Sequence, residues 1–88
     1  MNKETIKSEI ASKVGSSFSL YRIGLTHDPA KRKQEWVDES KNVKYWKQWQ
    51  ADTLSDAQDI EAHFISKGLK GGTGGDLSAS RSIYVYVF

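Results

Sequence analysis

Residues 21–32, YRIGLTHDPAKR, decide how this chain is read, because they raise the question of what holds an arginine at position 32. An apolar run ends at Gly24, and Thr26 follows. Asp28-Pro29 then marks the start of a helix, with Asp28 as the N-cap and Pro29 at the first helical position. Arg32 lies eight residues past the glycine. Helix side chains lean toward the N-terminus, so Arg32 is expected to point back over the end of the preceding strand. Gly24 lets the backbone turn there, or lets a ligand approach closely. Two readings stay open. Arg32 is a surface arginine in the run Lys31-Arg32-Lys33, or a guanidinium placed to fork onto a phosphate.

Outward from this stretch, SFSLYRIG at 17–24 reads as a strand with neither face cleanly polar, hence covered on both sides. Upstream, Ile6, Ile10 and Val14 recur at helical spacing and predict an amphipathic helix over 3–14, ended by Gly15. The helix begun at Asp28 is expected to run to Ser40 with Trp36 and Val37 facing inward. Residues 43–51, VKYWKQWQA, are rich in β-branched and aromatic residues and read as a strand. SDAQ at 55–58 has the form of a capping box, with Ser55 as cap and Gln58 three residues on. The helix after it is expected to reach Lys67, with Ala57, Ile60 and Phe64 on one stripe and Gly68 as the stop. Residues 68–76 hold five of the seven glycines and are expected to form a loop, and SIYVYVF at 82–88 reads as a strand. The fold class that follows is α+β. It is one domain over 1–88, with a small three-stranded antiparallel sheet flanked by helices in the order α-β-α-β-α-β.

Composition narrows the function. The 88 residues include no cysteine and two histidines, which excludes disulfides and thiolate metal sites. No apolar run is long enough for a membrane span, so a soluble, cytoplasmic protein without membrane partners is expected. The net charge of +2 does not itself point to nucleic acid. The local pattern says more. Lys41, Lys44 and Lys47 sit around Tyr45, Trp46 and Trp49, which suits a surface that binds a backbone and stacks bases. The same pattern also suits a solvated face over core aromatics. Glu61, between Ile60 and Phe64, is either a boundary residue or a carboxylate able to hold a hard divalent cation. His27 is either a solvated loop residue or a proton-transfer group.

Together these residues resemble the GIY-YIG nuclease domain. Ile23, Gly24, Thr26 and Arg32 fall in register with that family's second motif, and Glu61 in SDAQDIEAHFI falls on its single-glutamate helix. The resemblance covers about residues 17–67. The family's first motif, Gly-Ile-Tyr, has its counterpart at the other end of the chain, in Ser82-Ile83-Tyr84. This implies a circular permutation, with the last strand lying beside strand 17–24.

The resemblance implies a metal-dependent DNA endonuclease. Glu61 would hold Mg²⁺ or another divalent cation, and Arg32 would neutralise charge on the phosphate. Tyr84 would activate water with help from His27, and Tyr21 would be the tyrosine of the second motif. Arg22, Lys31, Lys33, Lys44 and Lys47 would hold DNA. Two departures favour the alternative, a catalytically inactive module that binds DNA or a protein partner. The motif's tyrosine position, two before Gly24, holds Arg22, so Tyr21 reaches the site only if the strand is bulged, and no asparagine follows the Glu61 helix. An arginine on that strand face needs an anion beside it. The terminal strand, taken as a sheet edge, would also offer a route to a homodimer.

Overall fold

Ile6, Ile10 and Val14 form the buried stripe of α1 (Lys3–Val14), as their spacing predicts. The Asn2 side chain caps the helix by accepting from the Thr5 amide at 2.8 Å. Gly15 ends it at φ 56°, a left-handed angle that glycine adopts without strain. The computed structural model describes residues 1–72 and 82–88. After α1 come a short 3-10 helix (Phe18–Leu20), β1 (Arg22–Thr26), α2 (Pro29–Asp38), β2 (Lys47–Ala51), α3 (Leu54–Lys67), β3 (Lys70–Gly71) and β4 (Ile83–Val87).

The class is α+β, but the sheet departs from the expected one. Among the described residues it has four strands, in the order β2-β4-β1-β3. β4 runs antiparallel to both β1 and β2, whereas β3 runs parallel to β1, so the sheet is mixed. β3 comes from the glycine-rich stretch expected to be loop. Leu69 is buried and pulls the chain against the core, and the Lys70 amide then donates to the Tyr21 carbonyl. Residues 73–76 of that expected loop lie outside the described residues. β4 is hydrogen-bonded on both sides, so it offers no free edge and the expected route to a homodimer is closed.

Local boundaries shift for physical reasons. The strand expected over 17–24 is a 3-10 turn followed by β1, and Gly24 lies in mid-strand because Leu25 and Thr26 continue the pairing with Val85 and Tyr84. The strand expected over 43–51 begins only at Lys47. Residues before it turn instead, and Trp46 stacks on Tyr86 at 4.5 Å between centroids. Burying that aromatic face outweighs local strand propensity. Thr53, rather than Ser55, caps α3 by accepting from the Asp56 amide at 3.0 Å. Trp36 is buried as expected, but Val37, one residue further round the helix, is exposed.

Side-chain alternation divides the sheet into two faces. Ile23, Leu25, Trp49, Ala51, Val85 and Val87 point to one face and pack with Ile6, Ile10, Ala57, Ile60 and Phe64 of α1 and α3. Arg22, Gly24, Thr26, Tyr84 and Tyr86 point to the other, where α2 supplies Trp36 and Arg32. No helix among the described residues is long and apolar enough to cross a membrane.

Candidate functional site

The second face gathers around one buried hydroxyl. Gly24 lies directly across from Tyr86 in the β1–β4 register. A side chain at Gly24 would occupy the space held by the Tyr86 ring and hydroxyl. The missing Cβ therefore lets the tyrosine lie flat over β1, where it is fully buried. The Tyr86 hydroxyl donates to the Gly72 carbonyl at 2.6 Å. It accepts from Trp36 Nε1 at 3.0 Å and from Arg32 Nε at 3.2 Å. A phenolic hydroxyl has one proton and two lone pairs, and all are engaged.

Arg32 closes the ring of contacts. One terminal nitrogen donates to the Gly72 carbonyl at 2.6 Å and the other pairs with Glu35 at 3.3 Å. Its guanidinium carbon lies 4.7 Å from the Trp36 ring centroid. Burial alone would lower the Arg32 pKa, but contact with Tyr86 and Glu35 outweighs it and holds the group more firmly charged. Gly72 is itself constrained, since a Cβ there would crowd Trp36, Arg22 and the Tyr86 hydroxyl at 3.0–3.1 Å. Trp46 and Phe88 roof the cluster, with ring centroids 5.3 Å apart.

Of the residues expected to act together, the structure brings Arg32 to a tyrosine of the terminal strand, but to Tyr86 rather than Tyr84. Tyr84 lies two residues back on the same face, opposite Thr26 and Gln50. Tyr21 packs against the core on the other face, with the Lys13 ammonium 5.8 Å from its ring centroid. Arg22 does face the cluster, as its position two before Gly24 implies. It meets no carboxylate among the described residues. It donates to the Gly71 carbonyl at 2.8 Å and lies 4.7 Å from the Trp36 centroid. His27 is exposed between β1 and α2.

Glu61 is half-buried on α3, the helix packed against the opposite face of the sheet. The carboxylate paired with Arg32 is Glu35. No group of three or more potential metal ligands forms among the described residues. Mg²⁺ is commonly held by one or two carboxylates together with substrate phosphates. A single glutamate can serve in that way. No chemical step is routed through a metal shared by Glu61 and Arg32.

The expected DNA-binding lysines also divide. Lys31, Lys33 and Lys44 are exposed and make no ion pair among the described residues. Lys47 pairs across from Val87 on the α1 side of the sheet and binds Glu9 at 3.6 Å. From the sequence, Tyr84 and Tyr86 share one strand face and either could be the site tyrosine; the roles of Trp36, Trp46 and Gly72 in the cluster were missed. The signal that could have found Tyr86 is the glycine opposite it, which becomes visible only when the strand register is known. Comparison of the chain with protein-family models, with curated proteins and with solved structures finds no match.

Proposed function

We propose that this chain is a DNA-binding module on a GIY-YIG-like scaffold, and that its Arg32–Tyr86 centre holds the fold together rather than cutting a phosphodiester. One observation carries the reading: the Tyr86 hydroxyl is fully buried, with its proton and both acceptor positions used inside the protein. A general base must reach the water it activates; this hydroxyl has no capacity left for one, and the contacts of Arg32 go to Tyr86, Gly72, Glu35 and Trp36 rather than to Tyr84 or His27. Arg32 is likewise committed to Tyr86, Gly72 and Glu35. The cations that remain available lie elsewhere. Lys31, Lys33 and Lys44 are exposed and without carboxylate partners among the described residues. Such charges attract phosphate by releasing condensed counterions.

The reading is tested by fluorescence anisotropy with labelled DNA over a range of salt concentrations. The wild type should bind with an affinity that falls steeply with salt. Lys31→Gln combined with Lys33→Gln should weaken binding about tenfold at low salt and flatten the slope. Absence of binding at low salt, or affinity independent of salt, would overturn the proposal.

A further inference from the structure

Beside the aromatic cluster, on the flank where β1, β3 and the end of β4 meet, lies an open groove of about 180 Å³. Arg22 of β1, Lys41 just after α2 and Lys70 of β3 all line it, together with Asn42. Three cations, two from strands and one from the connection after α2, thus share one small concavity. Neither lysine has an ion-pair partner among the described residues, and Arg22 spends one guanidinium nitrogen on the Gly71 carbonyl. The rest of the rim is apolar, formed by Leu20, Tyr21 and Phe88. Phe88 is half-buried there, and Leu20 is 79% exposed, the most exposed large hydrophobic side chain described.

We infer that this groove seats one phosphate of single-stranded DNA, with the adjoining base or sugar on the Leu20–Phe88 lip. The inference rests on the DNA-binding reading above and names the strand form and the subsite. The volume suits a single phosphate and part of its sugar rather than a stretch of duplex. In a duplex the base faces are stacked away, so Leu20 and Phe88 would have nothing to bind. An unpaired strand offers both the phosphate and a free base face, which is the combination that single-strand binders use. The Asn42 amide adds a neutral donor for a phosphate or base oxygen.

The test uses the full chain with a labelled oligothymidine of about 12 nucleotides and a duplex of the same length. The wild type should prefer the single strand. Lys41→Gln with Lys70→Gln, both exposed and outside the packed cluster, should lower single-strand affinity about tenfold. Loss of one phosphate contact should also reduce the log–log salt slope by about 0.7. Duplex binding should change less than about twofold, the residual electrostatic effect of two lost surface charges. Leu20→Ser should weaken single-strand binding with no change in slope. Unchanged single-strand affinity in the double variant, with wild-type DNA binding intact, would remove the groove and leave the DNA-binding reading standing. Equal losses for both DNA forms would make it a general phosphate contact and overturn the single-strand assignment. A wild type that binds neither form would overturn this inference and the reading it rests on.

Discussion

Gly24→Ala is expected to destabilise the protein by about 3 kcal/mol, at the upper end of the usual cost of overpacking. The added methyl would enter the volume of the Tyr86 ring and hydroxyl. That ring cannot swing away, because Trp46 stacks on one side and Trp36, Arg32 and Gly72 hold its hydroxyl. A chain of 88 residues has roughly 4–13 kcal/mol of total stability at usual per-residue values. The loss should therefore appear as a fall in melting temperature of roughly 12–24 °C. Equilibrium unfolding in urea measures it directly. A Gly24→Ala variant as stable as the wild type would mean that Tyr86 does not lie over β1.

Tyr86→Phe keeps the ring, and so keeps the packing on Gly24 and Trp46, but deletes the hydroxyl. Trp36 Nε1 then loses its acceptor in a buried setting. The Gly72 carbonyl keeps Arg32 as its donor, and Arg32 Nε, nearer the surface, can turn to water. The cost falls mainly on the orphaned indole N–H, with a smaller contribution from Arg32, giving about 2–3 kcal/mol. A double-mutant cycle identifies the cause. Trp36→Phe should cost about 1–2 kcal/mol less in the Tyr86→Phe background than in the wild type, because the two groups share one hydrogen bond. Additive effects would show that the hydroxyl and the indole act independently.

The helices were readable from the sequence because their buried stripes recur at helical spacing. Ile6, Ile10 and Val14 in α1, and Ala57, Ile60 and Phe64 in α3, are all buried as the pattern predicts. The terminal strand was equally clear from its β-branched and aromatic run, and it pairs with β1. The two-residue β3 was not readable, because it has no alternation of its own and is held by backbone bonding to β1 and by Leu69 in the core. The choice between Tyr84 and Tyr86 was hidden for a different reason. Both point to the same face, and only the register against Gly24 decides which one fits beneath the tryptophans. Arg32 was legible as a residue near a strand end. Its partners were not, since Tyr86 and Gly72 are far away in sequence.

That last contact defines the central claim, a tyrosine–arginine centre closed on itself. The most direct test incubates the wild-type protein with supercoiled plasmid at low salt, first with Mg²⁺ and then with Mn²⁺, and follows DNA mobility and topology. Before deproteinisation the plasmid should be retarded, and after it the DNA should still be supercoiled with either metal. Metal-dependent conversion to nicked or linear DNA, abolished by Glu61→Gln, would contradict the account.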